Sequence, residues 1–148
     1  MADVIWVYAE VIDGRISRAT LEMLSRAAEL GTAEVVLLGP APDDAVATLS
    51  AHGASKVYRS DDPVYRECLT LPAVESIAAL ITAHRPHVLL FASSYGGRDI
   101  AAALSAKLDC GAVTSSTVAV FGFGLISNAL GRTRTSFVPD PVSVLVFW

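Results

Sequence analysis

Residues Val88 to Gly111, VLLFASSYGGRDIAAALSAKLDCG, constrain the fold of this chain more than any other stretch. An apolar run from Val88 to Ala92 breaks at Ser93-Ser94-Tyr95-Gly96-Gly97 and gives way to an alanine-rich helical pattern opening at Arg98-Asp99. A strand thus hands the chain through a glycine turn to a helix N-terminus, the corner where α/β sheets accept anions. Gly96, Gly97 and Arg98 are therefore candidates for cofactor binding, although two glycines in a tight connection also serve backbone geometry alone.

The same alternation runs along the rest of the chain. Val4 to Ala9 reads as a first buried strand, and Ser17 can cap a helix with Leu21, Leu24 and Ala28 on its apolar face and Gly31 at its end. Glu34 to Leu38 reads as a second strand, followed by a short helix that starts at Pro42-Asp43-Asp44, runs through Val46 and Leu49 and ends near Gly53. Lys56 to Arg59 is a short third strand, and Pro72 to His84 places Val74, Ile77, Ala78 and Ile81 on one helical face. Val88 to Ala92 is the fourth strand, and the Arg98 to Leu108 helix follows it. Strands alternating with helices imply an α/β fold: a three-layer, doubly wound, mainly parallel sheet with right-handed crossovers. Five strands are expected in its core. Ligands in such a sheet sit at the carboxyl edge of the strands. The loops to watch are Glu10 to Arg15, Gly39 to Asp44 and Ser93 to Arg98.

Composition removes several function classes. The 148 residues suit one domain with a real core, and 53% of them are apolar, but every run is broken by Gly, Pro or charge short of a membrane span. No membrane insertion is expected. The opening MADVIWVYAE carries no basic region before its apolar run, so no signal peptide is read and the cytoplasm is the expected compartment. A net charge of -4 with eleven scattered Lys and Arg argues against nucleic acid as a partner.

Side chains that could carry chemistry are sparse. Cys68 and Cys110 have no metal-ligand spacing, and His52 stands apart from the His84-Arg85-Pro86-His87 loop at the opposite sheet edge, so no metal site is expected. Ser93 and Ser94 form no Gly-x-Ser-x-Gly elbow, and no Gly-x-Gly-x-x-Gly or phosphate-loop lysine motif occurs. No catalytic residue is assigned. Asp99 reads as a cap, Arg98 as a surface ion-pair partner, and Glu10 as a solvated strand-end acid that could also serve binding.

Several ordered motifs resemble the N-terminal domain of the electron transfer flavoprotein alpha subunit. They are Val7-Tyr8-Ala9-Glu10 with Asp13-Gly14-Arg15-Ile16 and Ala19-Thr20-Leu21-Glu22, then His52-Gly53-Ala54 with Lys56-Val57. Gly97-Arg98-Asp99 running into Ala101-Ala102-x-Leu104-x-Ala106-Lys107-Leu108 continues the match, which closes on Cys110-Gly111-Ala112-Val113-Thr114-Ser115 at the start of a fifth strand. Together they cover Val4 to Val120. The resemblance implies a Rossmann-like fold of the adenine-nucleotide alpha-hydrolase-like kind. It also implies an electron carrier subunit, without an active site of its own, that pairs with a beta subunit in electron transfer from dehydrogenases. In that family FAD is held mainly by a C-terminal domain, which this chain is expected to lack, so no cofactor is expected for the chain alone. The family resemblance and the apolar excess add an expectation of an exposed interface for a beta subunit or for self-association. The alternative from another class is a stand-alone adenine-nucleotide-binding module of the stress-protein type.

The resemblance stops after Val120. The family would supply a Thr-Arg-Pro and Gly-Gly type segment, of which Thr133-Arg134-Thr135 is a faint echo, and Pro139 and Pro141 interrupt the run. Residues 1–120 are thus expected to form one α/β domain. Residues 121–148 are expected to form an atypical tail contributing at most one or two edge strands, the mark of a truncated or frame-altered sequence.

Overall fold

Short runs rich in Val, Ile and Leu form the strands of the computed structural model, and longer segments with one apolar face form its helices. It describes residues 3–68, 70–110, 112–113 and 143–147, the last two segments as backbone only. The elements are β1 (Val4–Ala9), β2 (Val11–Ile12), β3 (Arg15–Ile16), α1 (Arg18–Leu30), β4 (Thr32–Leu38), α2 (Ala45–Ala51) and β5 (Lys56–Ser60). After them come α3 (Val64–Glu67), α4 (Leu71–His84), β6 (Val88–Ala92), α5 (Tyr95–Leu108), β7 (Ala112–Val113) and β8 (Ser143–Phe147). The main sheet has the order β5-β4-β1-β6-β8-β7, and every pairing in it is parallel. β2 and β3 form a separate antiparallel hairpin.

Parallel strands need crossovers, and helices making them cover both faces of the sheet. On one face, Leu24 and Ala27 of α1 and Ala45 and Leu49 of α2 pack on Ile5, Val7, Val35 and Leu37. On the other, Val74, Ile77 and Ile81 of α4 and Ile100 and Leu104 of α5 pack on Trp6, Val36, Leu89 and Phe91. This is the three-layer, doubly wound arrangement that the alternation implies. The buried α4 stripe is the one read from the sequence. On α1 the stripe is rotated: Ala27 is buried rather than Ala28, and Thr20 is buried completely.

One charged group lies within the sheet face. The Glu34 carboxylate accepts from Trp6 Nε1 at 2.8 Å and from the Tyr58 hydroxyl at 3.0 Å, so the indole N–H of a fully buried tryptophan has a partner. Lys56 Nζ sits 4.5 Å from the Tyr58 ring centroid and neutralises that corner.

Gly31 ends α1 for a reason other than a left-handed cap. Its φ is -174°, ordinary extended backbone, but a Cβ there would collide with the Asp3 carbonyl oxygen. The position needs the absence of a side chain, and Thr32 N donates to that same oxygen at 2.9 Å to start β4 beside β1.

The C-terminal strand departs from expectation. Five strands are expected in the core, with residues 121–148 adding at most one or two at an edge, yet among the described residues the sheet has six and β8 lies between β6 and β7. Its partners run from Val88↔Ser143 to Ala92↔Phe147. The physical reason lies in the positions of the prolines: Pro139 and Pro141 both precede the first paired residue, so neither removes a donor from the ladder. Val144-Leu145-Val146 is the near-continuous apolar pattern of an interior parallel strand. Thr114-Ser115, Thr133-Arg134-Thr135 and the rest of 114–142 lie outside the described residues.

Candidate functional site

The sheet order reverses direction between β1 and β6, because the chain from β1 proceeds outward through β4 and β5 before crossing back. Adjacent strand ends whose connections leave in opposite directions open a crevice at the carboxyl edge. A cleft of about 280 Å³ lies there. Its lining includes Tyr8, Ala9 and Glu10 from β1 and its end, Val11 and Ile12 of the hairpin, and Leu38, Gly39 and Pro40 after β4. Ser94, Gly96 and Ile100 close it from the α5 side, and Tyr65 and Arg66 of α3 from the outside. All three loops expected at the functional edge contribute to it.

Glu10 lines this cleft, and its backbone is pinned on both sides. Its N–H donates to Thr20 Oγ1 at 3.1 Å, and its carbonyl accepts from Ser17 N at 2.8 Å. Ser17 is also the N-cap of α1, accepting from Thr20 N at 3.2 Å, and its hydroxyl pairs with that of Thr20 at 2.8 Å. The start of α1 thereby fixes the end of β1. The Glu10 side chain then accepts a hydrogen bond from the Ser94 hydroxyl.

Ser94, not Asp99, caps α5, and its oxygen accepts from Gly97 N at 2.9 Å. The helix therefore begins at Tyr95, three residues before the expected Arg98, and both glycines fall in its first turn. Gly97 is buried, and a Cβ there would run into the Ala92 carbonyl oxygen, so this glycine lets α5 lie close on the end of β6. Gly96 faces open space and lines the cleft. Arg98 is exposed and makes no ion pair among the described residues; its Nε donates to Ser93 Oγ at 2.8 Å. Of the three candidates, the structure brings only Gly96 into the cleft.

The electrostatics follow from this wiring. A carboxylate stands beside the α5 N-terminus, where the helix dipole favours negative charge, and its own hydrogen bond engages the capping serine. Burial first, then the charge of Glu10 and of Tyr65, push the Tyr8 phenol up to about 12, so Tyr8 stays a neutral hydroxyl at physiological pH. Tyr8 packs on Phe91 with ring centroids 5.3 Å apart. The Tyr65 hydroxyl bonds Ser76 Oγ at 2.7 Å, and Arg66 Nη2 donates to the Pro40 carbonyl at 3.4 Å.

Sequence reasoning missed Thr20, Tyr65 and Arg66. Thr20 looked like one more helix residue, and the one available signal was the Ser17-x-x-Thr20 spacing at a helix start. Tyr65 and Arg66 lie in a short helix that follows Asp61-Asp62-Pro63 and reads as loop. His84 and His87 lie at the far edge: the His84 ring packs tilted at 49° against Tyr58 with centroids 5.0 Å apart, and His87 Nδ1 accepts from Val4 N at 3.2 Å. No group of three or more His, Cys, Asp or Glu is placed to hold a metal among the described residues. No helix among them is long and apolar enough to cross a membrane.

Comparison with known proteins matches residues 5–121 to the electron transfer flavoprotein domain. The chain is 34% identical over 112 residues to the electron transfer flavoprotein subunit alpha of Syntrophomonas wolfei subsp. wolfei, covering 75% of this chain and 35% of that one. It is 28% identical over 147 residues to the subunit alpha of Clostridium acetobutylicum, covering 96% of this chain and 43% of the other. Protein FixB of Rhizobium meliloti is 25% identical over 122 residues, covering 76% and 35%. The chain thus spans well under half the length of these relatives.

Proposed function

Because the chain belongs to the electron transfer flavoprotein domain family, we propose that it serves as the N-terminal scaffold domain of an alpha subunit. In this role it supports a beta subunit and a separate flavin domain in electron transfer from dehydrogenases. It works in the cytoplasm, residues 1–120 carry the role together with β8, which lies within their sheet, and the redox chemistry belongs to FAD held outside this domain. The domain acts as an electron carrier's base rather than as a catalyst.

The observation that carries this reading is the family match over residues 5–121; the hydrogen bond from Ser94 to Glu10 at the sheet's switch point speaks against a phosphate site in its place. In a nucleotide-binding relative of this architecture that corner receives a phosphate. Here a carboxylate already faces the helix N-terminus, and a phosphate placed beside it would meet like charge. The cleft residues do not fit a flavin dinucleotide: about 280 Å³ is small for one, and among the described residues Arg66 is the single cation of the lining, which it shares with the opposite charge of the Glu10 carboxylate. The same carboxylate speaks against the adenine-nucleotide module.

The test is association. Mixed with the beta subunit of the same flavoprotein, the full chain is expected to elute as a one-to-one complex in size-exclusion chromatography with light scattering. Titrated alone with FAD, it is expected to show no saturable fluorescence quenching up to about 0.1 mM. Independent elution from the beta subunit, or a stoichiometric yellow preparation of the chain alone, would overturn the assignment.

A further inference from the structure

The carboxyl-edge cleft holds chemistry that a scaffold does not need. Glu10 Oε1 accepts from Ser94, while Oε2 accepts no hydrogen bond from a described residue. A half-buried carboxylate with an oxygen to spare is satisfied by hydrogen-bond donors, and its charge disfavours anionic ones. Around it the cleft is mostly apolar and aromatic, with Arg66 at its α3 side as the single cation among the described lining residues. Tyr8 and Tyr65 bring two rings, with the Tyr65 hydroxyl already spent on Ser76, and Leu38 adds an aliphatic wall. Ile12 forms part of the lip and is 56% exposed, an apolar surface that a bound molecule would cover. The volume of about 280 Å³ lies at the low end for small-molecule sites.

One carboxylate, two phenol rings, an aliphatic wall and a small volume describe a ligand with neighbouring hydroxyls at one end, a flat ring at the other and no negative charge. We propose that this cleft binds an uncharged nucleoside, its ribose diol donating to the Glu10 carboxylate and its base lying against Tyr8 and Tyr65. Aromatic side chains accept any base by its π-face, so the rings give affinity with little base selectivity. Selectivity against nucleotides comes from Glu10. The assignment goes beyond the scaffold role, and it stands or falls whether or not the beta subunit pairs with the chain.

Isothermal titration of the full chain with four probes tests it: adenosine, 2′,3′-dideoxyadenosine, adenosine monophosphate and free ribose. Adenosine is expected to saturate with a Kd below about 1 mM. The dideoxy compound and the monophosphate are each expected to bind about tenfold or more weakly, the first for lost hydrogen bonds to a charged group and the second for like charge. In Glu10→Gln, with far-UV circular dichroism as the fold control, adenosine is expected to weaken by about tenfold and the discrimination against the monophosphate to disappear. Absence of saturable adenosine binding would overturn the proposal. So would dideoxyadenosine binding as tightly as adenosine, or unchanged selectivity in Glu10→Gln. Ribose binding as tightly as adenosine would overturn the base contact and with it the nucleoside assignment.

Discussion

Thr20→Val is the sharpest test of how the fold builds its carboxyl edge, because two physical arguments give it opposite signs. Thr20 is fully buried on α1, and a purely hydrophobic account replaces a buried hydroxyl with a methyl of nearly the same shape and expects a gain. The hydrogen-bond account expects a loss. The hydroxyl accepts from Glu10 N at 3.1 Å and pairs with Ser17 Oγ at 2.8 Å, and valine leaves the Glu10 N–H without its partner. An orphaned, half-buried amide costs about 1–3 kcal/mol, and the lost hydroxyl pair adds about 0.5–1.5 kcal/mol. Against this stands roughly 0.8 kcal/mol for the added apolar group. The net expectation is a loss of about 2 kcal/mol, a drop in Tm of about 4–8 °C for a chain of this size. Urea denaturation should show a lower midpoint at an unchanged slope. Thr20→Ser, which keeps the hydroxyl and loses a methyl, is expected to cost only about 1 kcal/mol. If the valine variant proves as stable as the serine variant, Thr20 does not hold the end of β1 in place and the account of Glu10's positioning fails.

Neighbouring glycines should respond oppositely to alanine. Gly96→Ala, with open space around the new Cβ, is expected to stabilise α5 by up to about 1 kcal/mol, whereas Gly97→Ala should lose about 1–3 kcal/mol to the clash with the Ala92 carbonyl, both read by chemical denaturation. The raised Tyr8 phenol makes the folded state hold a proton that the unfolded chain releases above about pH 10, so stability is intact below that pH and falls as pH rises toward 12. Tyr8→Phe should flatten that alkaline limb in a series of urea melts, and an unchanged limb would assign it to other groups. Deleting the residues after Val120 removes β8 from its five pairings with β6 and is expected to lower stability or abolish cooperative unfolding; an unchanged transition would mean that β8 adds nothing to the sheet.

The architecture was legible because its signals are local and repeated. Val4 to Ala9, Val88 to Ala92 and the Val74, Ile77, Ala78, Ile81 stripe each follow a period that only one kind of element satisfies, and the structure places all of them as read. Element order then led to the doubly wound sheet, and sheet topology to the edge where the cleft lies. Helix starts were less legible. Asp99 reads as the cap, yet Ser94, five residues earlier, is the one whose oxygen reaches the Gly97 N–H, a fact of geometry rather than of composition. The tail misled for a related reason. Prolines read as strand breakers only if they fall inside the paired register, and the register is set by β6, some fifty residues earlier in the chain.

The site itself was legible in its loops and illegible in its wiring. Glu10 stood out as an acid at a strand end, and Ser94 as one of two serines before a glycine pair, but they are 84 positions apart and nothing local connects them. What joins them is the crossing from β1 out to β5 and back to β6, which places two distant strand ends side by side. The glycine turn that first suggested an anion site is therefore reinterpreted by a residue from the other end of the domain. Gly97 serves close packing, Ser94 serves the cap, and the charge that completes the corner is a carboxylate from within the chain. In this chain a single acidic residue at the end of the first strand thus brings negative charge to the corner where a phosphate would otherwise lie, with both glycines left in place.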